Sequence, residues 1–212
     1  MDFRDYVEKL KAAAATITAD KRFKTFIDID RTAEPPELAA LQKFIDEVGM
    51  EGATIWRGFA EFHAAANGFL FQWVYKGPRP PKTKTGSAQL APIRTIYLPP
   101  VHSKLATKFY GQRLVLDKIS TDDQVAVEFT KGTEEPRLLY FSDRTGDYHP
   151  LRLSFTQYLQ ALLDSRAMYG WQEFFVDDPA FPLMDKDTSD FLKSFEMLFP
   201  DLDPTIFSVQ GR

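Results

Sequence analysis

The sequence predicts an α+β fold in which helices cover an antiparallel sheet. Helical patterns come first, strand patterns fill the middle and helical patterns return at the end. The links between neighbouring strand patterns are short, which favours antiparallel pairing. The chain has 212 residues, of which 44% are apolar. That is enough for the core of one large domain over residues 1–212, with two small domains as the alternative.

The first part of the chain carries two helical patterns. Apolar residues recur at helical spacing over residues 3–17, which predicts an N-terminal amphipathic helix. Residues 21–36 are interpreted as a linker or short strand. Pro35 and Pro36 open a second helix, because proline is tolerated in a first turn. We expect Gly49 to end that helix.

A third helix carries Phe59, and Asn67-Gly68 closes it, since glycine suits the left-handed conformation of a helix cap. The period then changes from helical to alternating, so residues 69–75 are predicted to form a strand. Its aromatic residues fall on one face, which we expect to be buried: Phe69, Phe71, Trp73 and Tyr75.

The middle of the chain is predicted to be a loop followed by a meander of strands. Residues 76–89 contain three prolines, two glycines and four basic residues, which indicates a loop. Alternating or β-branched runs then predict five further strands: 93–98, 113–119, 124–130, 137–142 and 148–153.

The C-terminal part returns to helices. Ser154 and Gln157 form a capping-box pattern at the start of a helix of about four turns that Gly170 is expected to stop. Residues 176–212 are predicted to be an acidic helical extension, with a last helix at 188–198. Three large aromatic residues near these elements are expected to be structural: Tyr158, Tyr169 and Trp171.

Charge is distributed unevenly. Residues 62–116 contain no acid and eight bases, whereas the residues on either side are net acidic. Such a dipolar surface favours electrostatic steering of a charged partner. The alternative is that strands with short loops happen to be poor in acids.

The sequence offers little chemistry. With no cysteine, thiolate nucleophiles, thiolate metal sites and disulfides are excluded. No phosphate-binding glycine motif or zinc-site histidine spacing is present. His63 is expected to be a packed residue. The leading interpretation has no catalytic residue, cofactor or metal. The alternatives are a small hydrolase that uses His102 or His149 with an acid such as Asp147, and a metal site formed by His102, His149 and Asp147.

The sequence also argues against a nucleic-acid-binding, a secreted and a membrane-spanning protein. Nucleic-acid binding is disfavoured, because the aromatic face is better explained as buried and the pI is about 5.5. The N-terminus lacks the basic start and continuous apolar stretch of a secretory signal. No segment is apolar over the length of a membrane span, so a cytoplasmic protein is expected.

Two segments of the chain resemble the SUKH superfamily, which takes its name in part from a yeast cell-wall-synthesis regulator. The first is FAEFHAAANGFLFQW, residues 59–73, with Asn67-Gly68 at the family's turn and Trp73 in the strand that follows. The second is residues 138–175, with Tyr158 near the start of a helix and Gly170-Trp171-Gln172 after its end. The family often has Leu-Pro a few residues before the helix that ends in Asn-Gly, whereas this chain has Thr54-Ile55-Trp56-Arg57 there.

The resemblance implies a twisted antiparallel sheet surrounded by helices and no enzymatic activity. Many bacterial members are similar to immunity proteins that bind and neutralise a toxin, and others are scaffolds or regulators. We therefore expect a non-catalytic protein-binding module that occludes a toxin's active site. For a basic partner the candidate residues are Glu134, Glu135, Asp177 and Asp178. For an acidic partner they are Lys76, Arg79, Lys82 and Lys84. Sequence alone leaves this choice and the oligomeric state open.

Overall fold

The computed structural model describes residues 1–29, 33–47, 57–93, 113–128, 135–183 and 185–208. Five α-helices lie within these ranges: α1 Phe3–Ala19, α2 Pro35–Glu47, α3 Arg57–Ala65, α4 Phe155–Asp164 and α5 Asp185–Leu198. Two short 3₁₀ helices follow α4 and α5 respectively, at Trp171–Phe175 and Pro204–Phe207. Seven strands are described: β1 Phe23–Ile29, β2 Phe69–Tyr75, β3 Thr85–Leu90, β4 Arg113–Lys118, β5 Gln124–Glu128, β6 Arg137–Ser142 and β7 Asp147–Pro150.

The seven strands form one sheet in chain order, and every neighbouring pair is antiparallel. This confirms the predicted α+β class. The prediction of a loop over residues 76–89 is wrong from Thr85 onward, where β3 pairs with β2. Gly86, which looked like a loop residue, lies in this strand opposite Trp73. A Cβ there would come within 2.2 Å of the Trp73 indole nitrogen, so the position requires glycine.

One face of the sheet is the core. The residues of β2 alternate between buried and half-buried, with Phe69, Phe71, Trp73 and Tyr75 buried as predicted. Helices cover this face: Phe62 of α3 makes an edge contact with Phe69, at 6.5 Å between ring centroids. The helix at Phe155–Asp164 joins the same core, because Phe155 contacts Phe62 at 5.5 Å.

Helix ends follow local chemistry. Asp2 caps α1 by accepting hydrogen bonds from the backbone of Arg4 and Asp5. Ser154 and Gln157 form the predicted capping box of α4. That helix is shorter than expected, because Arg166 and Ala167 both adopt left-handed backbone conformations with φ of 53°.

Several predicted boundaries need correction. Gly170 does not stop α4: with φ of 89° it precedes the 3₁₀ helix Trp171–Phe175. The last helix starts at Asp185, ahead of the expected residue 188. The return strand ends at Pro150 rather than residue 153. The end expected at Gly49 falls outside the described residues. So does the strand expected over residues 93–98 except for Ile93, which is helical and not part of a strand. In the described part of the chain, no helix has both the length and the apolar character needed to cross a membrane.

Candidate functional site

The clearest exposed feature of the described chain is a cationic loop between β2 and β3, residues 76–84, which we name the basic loop. Its four bases are all exposed: Lys76, Arg79, Lys82 and Lys84. Among the described residues, none of these four side chains has an ion pair or a hydrogen-bond partner. The loop therefore presents four positive charges that form no ion pair within that part of the chain.

The backbone of the basic loop is tied down at both ends. Tyr75 N–H donates to the Lys84 carbonyl at 2.8 Å, and Lys76 N–H donates to the Arg22 carbonyl at 2.6 Å. The Tyr75 hydroxyl donates to the Pro78 carbonyl at 3.3 Å. The Thr83 N–H donates to the Ser194 hydroxyl of α5 at 3.3 Å. These contacts orient the loop before any partner arrives.

A cleft adjoins the basic loop, with a volume of about 380 Å³. Arg144 lies in it with its two terminal nitrogens 3.5 Å from carboxylate oxygens of Glu173 and Asp187. Burial raises the pKa of Glu173. The cleft thus combines an apolar floor with paired charges, and its lining includes Lys82, Arg144, Glu173, Phe174, Asp187 and Phe191. Sequence reasoning missed it, because its residues come from four separate segments.

The acidic candidates are less available than the basic ones. Glu135 accepts a hydrogen bond from the Phe155 N–H, at the start of α4, at 3.1 Å. Asp178 accepts from His149 at 2.7 Å and from the Ala180 N–H at 2.8 Å, and the bond from His149 is the main reason that the pKa of Asp178 is lowered. Asp177 is exposed. Glu134 lies outside the described residues.

His149 stands at the centre of a relay of three side chains. Its Nδ1 lies 2.7 Å from Asp178 Oδ2, and its Nε2 lies 2.7 Å from Thr145 Oγ1. The ring is buried and contacts the Phe181 ring, with 4.9 Å between centroids. Because the carboxylate can only accept, Nδ1 carries a proton and donates to Asp178. The Thr145 hydroxyl also donates to the Ser142 carbonyl, at 3.3 Å.

The expected partner of His149 was Asp147, and the structure places Asp178 there instead. The Asp147 carboxylate accepts the N–H of Tyr148 at 2.7 Å. His63 is packed as predicted, fully buried with Nδ1 2.9 Å from the Phe59 carbonyl. Burial lowers the pKa of His63 to about 4. His102 is outside the described residues.

A buried carboxyl group, Asp117, was not anticipated. It lies at an irregularity of β4, where the register with β5 shifts between Val115 and Asp117. Its Oδ1 accepts from the Gln89 N–H and its Oδ2 from the Tyr158 hydroxyl, each at 2.7 Å. Burial raises the pKa of Asp117 to about 6. The only sequence signal was an acid inside the apolar run of residues 113–119.

The residues that carry the SUKH resemblance have structural environments. Asn67 accepts from the Ile93 N–H at 2.8 Å, and Gly68 has φ of 88°. The Trp73 indole N–H donates to the Arg166 carbonyl at 2.7 Å. Tyr158 and Trp171 are fully buried, as expected. Tyr169 is not: its side chain is 38% exposed and its hydroxyl donates to Asp123.

Comparisons of the chain with protein-family models, with curated proteins and with solved structures give no match. Membership of the SUKH superfamily therefore stays a prediction. Among the described residues, no three His, Asp or Glu side chains gather as a metal-binding group.

Proposed function

We propose that this chain is a protein-binding module that recognises an acidic protein surface through the basic loop and acts by covering that surface, without catalysis. The observation that carries this proposal is the set of four exposed bases that have no ion-pair partner among the residues that the structure describes. Uncompensated charges of one sign accelerate encounter with a surface of the opposite sign.

The anchoring of the loop supports the same proposal. Binding costs free energy for each segment that has to be ordered, and a loop held by Tyr75 and Ser194 is already ordered. The neighbouring cleft offers an apolar floor for a side chain of the partner. The acidic alternative is weaker, since Glu135 and Asp178 already accept hydrogen bonds within the chain.

The resemblance to the SUKH superfamily suggests the kind of partner. Within this proposal the partner is a toxin domain, and the chain is an immunity protein in the cytoplasm that occludes the toxin's active site. A scaffold or regulator with the same binding loop is the alternative. The presence of a toxin gene beside the gene for this chain would favour immunity, whereas an isolated gene would favour regulation.

The test compares three tagged proteins in pull-downs from lysate of competing cells at low salt, with mass spectrometry of what is retained. The loop variant is K76Q/R79Q/K82Q/K84Q. The matched control, K21Q/K118Q/R137Q/K193Q, removes the same number of exposed charges elsewhere. We expect an acidic protein to be retained stoichiometrically by the wild type and the control but not by the loop variant. Equal retention by all three, or retention of nucleic acid alone, would contradict the proposal.

A second candidate function is favoured by the relay of Thr145, His149 and Asp178. A hydroxyl, an imidazole and a carboxylate in this order have the arrangement of an activated nucleophile. In this hydrolytic scheme the Thr145 hydroxyl gives its proton to His149 Nε2 while Oγ1 attacks an ester carbonyl. The leaving alcohol takes that proton, and water then hydrolyses the acyl-threonine.

Hydrolysis of p-nitrophenyl acetate by the full chain tests this second candidate. General-base catalysis contributes about 10²–10⁴-fold, so T145V, H149Q and D178N should each lose a rate increase of that order. T16V, which removes an exposed hydroxyl from α1, should keep the wild-type rate. If the wild type is no faster than the variants, the relay is structural and joins the β6–β7 turn to the segment at Asp178.

A further inference from the structure

The first strand of the sheet leaves one edge open. Within the described ranges, β1 pairs with β2 and with no other strand. The pairing is continuous over seven residues and has no bulge. Phe26 is 50% exposed and Ile27 is 40% exposed, and both lie in the middle of this strand. A long, regular edge with exposed apolar side chains is a template for pairing with another strand.

The hydrogen bonding of β1 shows which backbone groups point outward. Lys76 N–H donates to the Arg22 carbonyl, and these two residues continue the β1–β2 register. Hydrogen-bonded pairs alternate along an antiparallel ladder, so Lys24, Phe26 and Asp28 also direct their backbone groups toward β2. The residues between them direct theirs to the open edge: Thr25, Ile27 and Ile29. The N–H of Phe23, at the start of the strand, already donates to the Asp20 carbonyl at 2.9 Å.

The sequence of β1, FKTFIDI, is complementary to itself when a second copy runs antiparallel. With a two-fold axis at Phe26, Thr25 of one copy faces Ile27 of the other, and both have outward backbone groups that can form the ladder. Phe26 then faces Phe26, and Lys24 faces Asp28, as pairs without backbone hydrogen bonds. In such pairs the side chains approach most closely.

We propose that two copies of this chain associate through their β1 edges about a two-fold axis at Phe26, which joins the two sheets into one. Within the described ranges, neither Lys24 nor Asp28 forms an ion pair. The Lys24 ammonium lies over the Phe26 ring, 5.0 Å from its centroid. A symmetric interface makes each complementary contact twice, so two Lys24–Asp28 pairs flank the central phenylalanines.

A second copy fits this edge better than an unrelated strand, because the order of charges in β1 selects its own antiparallel register. A shift by one residue would place Lys24 opposite an apolar side chain and would break the match of outward backbone groups. Strand pairing of this length lies at the small end of specific interfaces, below about 1,200 Å². The dimer is therefore expected to dissociate on dilution.

Sedimentation equilibrium over micromolar to millimolar concentrations tests the proposal with the full chain. The wild type should show a reversible monomer–dimer equilibrium. K24E and D28K should each weaken the dimer by about tenfold, because like charges then face each other twice. K24E/D28K restores the opposite-charge pairs and should return the dissociation constant to the wild-type value. K21E, at an exposed base outside β1, is the control and should leave the dimer unchanged.

Mixing the two single variants provides a second measurement that is specific to this register. K24E and D28K carry complementary edges, so an equimolar mixture should form heterodimers under conditions in which each variant alone is monomeric. A wild type that stays monomeric throughout would overturn the proposal. So would a dimer that K24E leaves intact, or single variants that fail to complement each other, because the interface would then lie elsewhere.

Discussion

The carboxyl group of Asp117 is buried in the core. Hydrogen bonds from the Gln89 N–H and the Tyr158 hydroxyl partly offset the free-energy cost of removing it from water. Its pKa is raised from 3.8 to about 6, so the folded state binds a proton more tightly than the unfolded chain. Its contribution to stability is therefore complete below pH 4 and is lost as the pH rises through 6. This difference between the folded and unfolded pKa values corresponds to about 3 kcal/mol in the free energy of unfolding.

His63 acts in the opposite direction over nearly the same pH range. Its pKa falls from 6.5 to about 4 on folding, so the unfolded chain binds the proton more tightly. Stability from this group is present above pH 6.5 and is lost as the pH falls toward 4. The two pKa shifts are similar in size and opposite in sign. In the wild type, the pH dependence of stability that comes from Asp117 therefore largely cancels the one that comes from His63.

The D117N variant should lack the contribution of Asp117 to the pH dependence of stability. An amide keeps an acceptor for the Gln89 N–H and removes the buried charge. We expect D117N to be more stable than the wild type by up to about 3 kcal/mol at pH 7 and equal to it at pH 4. Urea unfolding at several pH values between 4 and 7 measures this. A D117N protein that is less stable at every pH would show that the carboxylate itself is required.

Two buried tyrosines, Tyr6 and Tyr158, differ in the hydrogen bonding of their hydroxyl groups. In the part of the chain that the structure describes, the Tyr6 hydroxyl has no hydrogen-bond partner, whereas the Tyr158 hydroxyl donates to Asp117. Removing an unpaired hydroxyl costs little, so Y6F should unfold within about 1 kcal/mol of the wild type. Y158F leaves Asp117 short of a donor and should cost about 1–3 kcal/mol at pH 7. Equal losses in the two variants would contradict the assigned network.

At the scale of elements, a comparison of Gly68 with Gly170 distinguishes the cost of a left-handed backbone conformation from the cost of a steric clash. Both have φ near 90°. A Cβ on Gly68 would lie 2.7 Å from the Pro92 nitrogen and 2.8 Å from the Leu90 carbonyl oxygen, whereas a Cβ on Gly170 meets nothing within 4 Å. The connection from α3 to β2 therefore requires glycine for two reasons.

We expect G170A to lose about 1 kcal/mol, the cost of the left-handed conformation, and G68A to lose about 3 kcal/mol or more. Thermal unfolding of the two variants beside the wild type makes the comparison. If both variants lose the same free energy of unfolding, the backbone at Leu90 and Pro92 moves aside without cost, and steric exclusion does not explain the glycine at position 68.

Local patterns predicted most elements, and long-range contacts explain the failures. The alternation of Phe69, Phe71 and Trp73 was enough to place β2 and its buried face. Gly86 looked like part of a loop, because the Trp73 ring that requires its small size lies on another strand. The end of α4 was missed, since no sequence pattern marks Arg166 and Ala167 as left-handed.

At the scale of the whole molecule, the charge distribution was readable from sequence and the choice of surface was not. The acid-free stretch predicted a basic surface, and the four bases of the basic loop are exposed. That Asp178 is already bound to His149, 29 positions away, follows only from the fold. This contact weakens the acidic alternative and leaves the basic loop as the stronger candidate for the proposed binding surface.

The central claim is tested most directly by the association rate of the captured acidic protein over a range of salt concentrations. For the wild type and K21Q/K118Q/R137Q/K193Q, the rate should fall steeply as salt increases. For K76Q/R79Q/K82Q/K84Q, it should be about tenfold or more lower at low salt and nearly independent of salt. If the loop variant associates at the wild-type rate with the same salt dependence, the basic loop does not form the binding surface.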